Sequence, residues 1–316
     1  MNINEIYEKI LESKNLSHNN YLLFKDEDAF YGTDANANPV FVLESNNANL
    51  APQMQATNEL RFLFNIRTQL KINDSVVTKT VHILVYLATS DSDLKSFIRL
   101  TKAFRKEADI DSSISIRDFF SSLITLFSPK QAEISNIELQ GLFAELYTIY
   151  YFNNHEIKLN KFWHSEGKMK FDFSLSDKKR LEVKSTVGVQ RIHHFKHEQL
   201  ISYLYDIYVI SYLLRRSDTG LSLQNLIEKI YEIASDDYKT LALIEKYTTK
   251  IKRSELENIR FDENYLLDEL RFIKASNVPK FNERQPDGVF NAEYDSDLTV
   301  AATDSLEAVL AWMRYK

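Results

Sequence analysis

A chain of 316 residues with 44 % hydrophobic content, 20 Phe and 17 Tyr can fill one large core or two ordinary ones. The absence of cysteine excludes a disulfide framework and any thiolate nucleophile or metal ligand, and it fits a reducing cytoplasm. A net charge of −6 argues against a protein that coats nucleic acid over its whole surface. The opening MNINEIYEKILESK is a charged amphipathic helix pattern and not a secretory leader, and no run approaches the ~20 apolar residues of a membrane span, so a cytoplasmic protein without a membrane role is expected.

After this first helix, residues 21–89 read as strands and loops. YLLF, PVFVLE, ELRFLFNIRTQLKI and TVHILVYLA are rich in β-branched and aromatic residues, interrupted by the polar loop SNNANLAPQMQATN, which predicts an antiparallel β module. Over residues 92–127 the apolar spacing becomes helical in DLKSFIRLTKAFRKEA and IRDFFSSLITLF, until SPK breaks the chain. Residues 1–130 are therefore expected to form a β-rich module with connecting helices.

Ser135 and Glu138 have the S-x-x-E spacing of a capping box, which starts a helix running to about Phe152 with Leu139, Leu142, Phe143, Leu146, Ile149 and Tyr150 on its buried face. A short strand at 156–159 follows, then a hairpin in KFDFSLSDKKRLEVKST (170–186), a short helix at 195–201 and a buried strand in YDIYVISYLLRR. The fold class of residues 131–216 is α/β, in the order αβββαβ, within a chain that is α+β overall. Beyond RRSDTG, residues 217–316 read as a helical and β extension packed on that core: helical pattern from LSLQNLIEKIYEIA to about residue 256, a strand in LDELRFIKA, a turn at QPDG and a final helix in SLEAVLAWMRY.

The hairpin carries the chemistry. Side chains alternate across a strand, so Glu182 and Lys184 share one face, and Asp172 on the partner strand can face the same side. Two carboxylates and an ammonium on one patch suit a hard divalent cation such as Mg²⁺, with Mn²⁺ as a substitute, and hydrolysis of a phosphodiester is the natural reaction. The bland alternative is an exposed hairpin with a Glu–Lys pair. Glu145 borders the apolar face of the helix, where a carboxylate needs a partner; a metal shared with Asp172 and Glu182, or Lys184, is a candidate, and an edge glutamate reaching solvent is the alternative. Gln199 and Tyr203 have a Q-x3-Y spacing after the E-x-K strand, and a glutamine there can hydrogen-bond a nucleophilic water or a phosphate oxygen. Residues 161–197 hold nine Lys or Arg against four Asp or Glu, with four of the seven histidines, a locally basic strip on an acidic chain.

In the order and spacing of these motifs, residues 135–215 resemble the nuclease core of the PD-(D/E)XK superfamily, which has a restriction-endonuclease-like fold. The resemblance gives Asp172 the role of the motif's Asp, Glu182 and Lys184 that of its (D/E)-x-K, Glu145 that of the first-helix glutamate, and Gln199 with Tyr203 that of the Q-x3-Y of RecB-like members. Phe171 stands where the motif's name shows proline. GLFAELYTIYYF, FDFSL, LEVKST, RIHHFKHEQL and VPKFNERQPDGVFNAEYDSDL also resemble one bacterial family of PD-(D/E)XK motif proteins, whose members tend to be encoded beside DNA methyltransferases and ATPases in restriction-like phage-defence clusters. This implies a DNA endonuclease subunit that acts with such methyltransferase and ATPase partners, with a dimer among the assemblies it admits.

Arg191, His193 and Lys170, with His194 beside them and Tyr203, are the candidate nucleic-acid contacts, against ordinary surface polarity. A zinc site from His193 and His197 is disfavoured, since no cysteine and no H-E-x-x-H accompanies them. Trp163, Tyr147, Tyr150 and Tyr151 could stack on bases, but aromatics at helical spacing more often pack in cores. A catalytically silent DNA-binding or assembly subunit is the alternative to the Mg²⁺-dependent endonuclease.

Overall fold

The structure is a computed structural model that describes residues 1–16, 21–45, 51–73, 75–87, 91–110, 115–126, 134–163, 171–201, 204–248, 251–282, 288–289 and 291–314. Among them the chain runs α1 (Ile3–Lys14), β1 (Tyr21–Asp26), β2 (Ala29–Thr33), β3 (Pro39–Glu44), β4 (Gln53–Ala56), β5 (Leu60–Ile72), β6 (Ser75–Tyr86), α2 (Asp91–Ile110) and α3 (Ile116–Leu126). Then come α4 (Asn136–Asn153), β7 (Phe173–Ser174), β8 (Lys179–Thr186), β9 (Ile192–Lys196), α5 (His197–Leu200), β10 (Asp206–Leu213), β11 (Arg216–Ser222) and α6 (Leu223–Ile233). The remainder is α7 (Tyr238–Thr248), α8 (Arg253–Asn258), β12 (Arg260–Phe261), α9 (Glu263–Asp268), β13 (Arg271–Lys274), β14 (Glu293–Asp297) and α10 (Leu306–Arg314). No helix among the described residues is long and apolar enough to cross a membrane.

Two compact units emerge, Met1–Ala132 with Ser235–Lys250, and Glu133–Ala234 with Ile251–Lys316. The helical segment α7, which the sequence groups with a C-terminal extension, thus belongs to the N-terminal unit. Glu245 explains why: its carboxylate is buried and accepts a hydrogen bond from Ser96 Oγ (2.7 Å) while pairing with Arg99, both on α2. A buried charge is stable only with such partners.

In this first unit the strands pair antiparallel in the order β1-β2-β3-β6-β5-β4. The expected antiparallel module has one parallel addition, β1 on β5 (Tyr21↔Leu70), so that β1, β2, β3, β6 and β5 pair around a closed ring. Closure removes exposed strand edges. A bulge between Leu63 and Ile66 bends the long β5, with Asn65 at φ 56°, a left-handed conformation that asparagine tolerates better than most residues. Leu23, Phe30, Val40, Val42, Leu70, Val81, Ile83 and Val85 form its apolar interior.

The second unit is built on a four-stranded sheet, β13-β10-β8-β7, in which β8 and β10 are parallel and the other pairs antiparallel. The capping box starts α4 as expected: Ser135 Oγ accepts from the Glu138 N–H (3.2 Å) and Glu138 Oε2 accepts from the Ser135 N–H (2.7 Å). This helix covers the sheet face that presents Leu181, Val183 and Ser185 beside Tyr208, Ile210 and Tyr212. Thr148 Oγ1 meets the Tyr212 hydroxyl at 3.0 Å, and Gln140 Nε2 donates to the Ser185 carbonyl at 3.2 Å. The other face carries Ile207 and Val209, packed with Phe171, Phe195, Leu200, Ile273 and Leu298. On that side β9 pairs with β14 as a separate two-stranded ribbon, Asp295 opposite His194.

Several expectations change in this unit. Residues 156–159 are not a strand: Glu156 takes φ 64° and the Ile157 N–H returns to the Phe152 carbonyl, closing the end of α4, after which Leu159–Phe162 forms a 3-10 turn. The helix expected at 195–201 is only His197–Leu200, since Phe195 and Lys196 remain in β9. The strand in LDELRFIKA is confined to Arg271–Lys274. Of the QPDG turn only Gly288 is among the described residues, with φ 85°.

Candidate active site on the four-stranded sheet

The hairpin forms around a Ser176 turn whose hydroxyl accepts the N–H groups of Lys178 (3.3 Å) and Lys179 (3.2 Å). Its first strand, β7, is only two residues long, paired Phe173↔Leu181 and Ser174↔Arg180. One residue earlier, Asp172 continues the register to the position opposite Glu182. There the backbone no longer supplies an acceptor to β8, and Asp172 Oδ2 accepts from the Val183 N–H at 2.6 Å instead. A buried N–H must be satisfied, and an aspartate at the end of a short strand can do this where Val cannot.

Glu182 projects from the middle of β8 and is 2 % exposed. Its Oε1 pairs with Lys184 Nζ at 2.7 Å and accepts from Gln199 Nε2 at 2.7 Å, whereas the buried Oε2 has no hydrogen-bond partner. Gln199 is itself fixed, because its Oε1 accepts from the Lys196 N–H (3.0 Å) at the start of α5. The Lys184 ammonium lies 5.1 Å from the centre of the Phe195 ring, within cation–π range. Burial, then the neighbouring charges of Glu182 and Glu145, push the Asp172 carboxyl well above the usual range, with the Val183 N–H and Lys184 opposing. Burial also raises Glu182, against the pull of Lys184 and Gln199.

Glu145, on α4, accepts from the indole N–H of Trp163 at 2.7 Å; Trp163 is buried and bridges to Phe173. Among the described residues no group of three His, Asp or Glu is drawn together as a metal cluster, so the centre consists of two carboxylates with Glu145 close enough to act on both electrostatically. The donor set still fits a hard cation. Two carboxyls share one site, the Lys184 ammonium directly contacts Glu182 Oε1, and Glu182 Oε2 is an oxygen taken out of water without a donor.

Two of the expected nucleic-acid contacts lie elsewhere. Arg191 (1 % exposed), just before β9, and His193 (4 % exposed), within it, point inward and not to the surface. Arg191 donates to the Ser211 carbonyl (2.9 Å) and Oγ (3.1 Å) and pairs with Glu269, while His193 Nε2 meets Ser211 Oγ at 2.7 Å. With these partners neither side chain is available to a phosphate. His194 is exposed but faces Asp295 (3.0 Å) and Glu293 (3.4 Å), which raise its pKa. His197 opens α5 and contacts the Tyr294 hydroxyl (3.3 Å), so His193 and His197 do not share a helix. Lys170 and Tyr203 lie outside the described residues. The sequence reading missed Ser211, which stands beside Lys184 in the parallel register and anchors both inward side chains; the signal was a lone serine inside an otherwise apolar buried strand. It also missed Trp163 as the partner of Glu145.

A D-x9-E-x-K hairpin on a mixed sheet, its half-buried aspartate opposite a buried glutamate and its lysine on the second acid, defines a chain of the PD-(D/E)XK type. Residues 4–299 match the profile of the family described as "Putative PD-(D/E)XK family member, (DUF4420)", and the chain belongs to that family. No curated protein and no solved structure matches it.

Proposed function

We propose that this protein is a Mg²⁺-dependent endonuclease that hydrolyses DNA phosphodiester bonds, as a cytoplasmic subunit of a bacterial restriction or phage-defence system, on a restriction-endonuclease-like core of αβββαβ order. Family membership supports the nuclease class. The observation that carries the reading is the pair of half-buried Asp172 and buried Glu182, opposite in register, with an orphan oxygen on Glu182 and Lys184 alongside.

Asp172 and Glu182 would hold Mg²⁺, or Mn²⁺ in its place; once bound, the ion supplies charge neutralisation at the phosphate and a more acidic water. The residues of the chain do the rest. Lys184 stands at the mouth of the pair, half-buried, where its ammonium can align the attacking water and offset charge that grows on the phosphate oxygens. Gln199 holds Glu182 Oε1 in place through a donor whose own orientation is fixed by Lys196. Glu145, held by Trp163, adds negative potential that favours a cation at the pair.

The alternative is a catalytically silent nucleic-acid-binding or assembly subunit. It draws support from the limited ligand set, in which Lys184 and Gln199 both occupy one oxygen of Glu182. Incubation of the purified protein with plasmid, single-stranded DNA and RNA in Mg²⁺, Mn²⁺ or EDTA separates the two. The endonuclease reading expects metal-dependent cleavage of DNA that falls by about 10²-fold or more in Lys184→Ala. Equal cleavage by both proteins refutes the site, and binding without cleavage in either metal favours the silent subunit.

A further inference from the structure

A second polar site lies within the same unit, beyond the ends of the motif strands. A pocket of about 320 Å³ is lined by Arg216, Ser217, Asp218, Asn258 and Arg260. Its shape comes from a large bulge: Arg216 and Leu221 both face Phe261, so residues 217–220 loop away from the β11/β12 ribbon. Gly220 makes the loop's return possible. A Cβ there would lie 2.2 Å from the Phe261 carbonyl oxygen, which no side chain can accept.

The charges in this pocket are not mutually satisfied. Arg216 is exposed and its guanidinium makes no hydrogen bond or ion pair among the described residues, and the Arg260 side chain has only a 3.4 Å contact to the Gly220 carbonyl. Asp218 also lines the pocket yet pairs with neither arginine. The adjacent Arg215 differs, being engaged by Asp262 at 2.5 Å. Two guanidiniums without an ion-pair partner among the described residues against one carboxylate, with hydroxyl and amide donors between them, suit a solvated oxyanion better than a base or a metabolite ring.

The placement relates it to the acidic pair. Lys184 aligns with Ser211, and the Leu214 N–H bonds the Thr186 carbonyl (2.8 Å) where β8 and β10 end. Arg216 follows five residues after Ser211, a reach of at most about 17 Å at ~3.3 Å per residue, which corresponds to about five nucleotides of one strand.

We propose that the Arg216–Arg260 pocket binds a non-scissile phosphodiester of the nucleic-acid substrate; this rests on the nuclease reading above. The contact positions the strand and carries no sequence information.

Fluorescence anisotropy with labelled duplex and single-stranded oligonucleotides in EDTA tests it independently of cleavage. Replacing both residues (Arg216→Gln, Arg260→Gln) should weaken binding about tenfold and make the slope of log affinity against log salt shallower by about one. The exposed Arg216→Gln alone should shift both quantities in the same direction, and Asp218→Asn should tighten binding roughly threefold, an improvement that misfolding does not produce. Tryptophan-fluorescence melting checks that the variants fold. Unchanged affinity and slope in the arginine variants, with the wild-type protein binding normally, overturns the pocket and leaves the nuclease reading intact. A wild-type protein that neither binds nor cleaves any of these nucleic acids overturns both.

Discussion

His193 offers a quantitative test of the inward-facing polar layer on β9. Burial, with Lys184 and Arg191 nearby and Asp297 opposing, lowers its pKa from the ordinary 6.5 to about 4. The folded state therefore refuses a proton that the unfolded state accepts. Stability from this residue is fully present above pH 6.5 and is lost as pH falls towards 4. At ~1.4 kcal/mol per pH unit the whole effect is about 3 kcal/mol, with about 1.4 kcal/mol gone by about pH 5.5 and about 2.5 kcal/mol by about pH 4.5. His193→Gln keeps a group that can hydrogen-bond Ser211 Oγ and removes the titration. The chain's two tryptophans, Trp163 and Trp312, both lie in the second unit, so urea unfolding followed by tryptophan fluorescence reports on that unit. The variant should be less stable than wild type at neutral pH, and the gap should narrow by about 2.5 kcal/mol on going to about pH 4.5. Because the surrounding charges are common to both proteins, their titration cancels in the difference. A gap that stays constant across this range would refute a neutral, buried His193.

Two further outcomes follow from the carboxylate pair and its supports. Asp172→Asn relieves the repulsion with Glu182 while an amide oxygen can still accept from Val183, so in EDTA at neutral pH it should raise stability by about 1–2 kcal/mol, seen as a higher midpoint in the same urea titration; with Mg²⁺ present the variant should lose the metal's stabilisation that wild type gains. Trp163→Phe deletes the donor to Glu145 and should cost about 1–3 kcal/mol by the same measurement, together with a loss of cleavage that Mn²⁺ does not restore.

The sequence carried α4 and the hairpin well because their determinants are local. A capping box, an apolar face and a Ser-Asp-Lys turn each act within a few residues, and strand alternation alone put Glu182 and Lys184 on one face. The order of Arg191, His193 and Phe195 was harder. Around the start of β9 the polar Arg191 and His193 point inward and Ile192 is exposed, the reverse of what hydrophobicity suggests, because Ser211 supplies a polar floor. Only the tertiary partner reveals this. The same holds for β1 on β5, a pairing across about fifty residues with no local signal, and for Glu245, whose partners lie about 150 residues earlier. Alternation expects Asp172 only on the same side as Glu182, and its backbone role depends on how early β7 begins, which propensity does not specify.

The path of the chain has a consequence for its synthesis. It leaves the second unit after Ala234, supplies α7 to the first, and returns at Ile251, so neither unit is one continuous stretch. On the ribosome the first unit stays incomplete until Glu245 emerges to meet Ser96 and Arg99, and the sheet that bears the acidic pair lacks its edge strand until Arg271–Lys274 has been made. The sheet under the acidic pair therefore cannot be completed on a nascent fragment ending near residue 216. A gene cut at that point would yield the D-x9-E-x-K motif on β7, β8 and β10 without the β13 edge strand that completes their sheet.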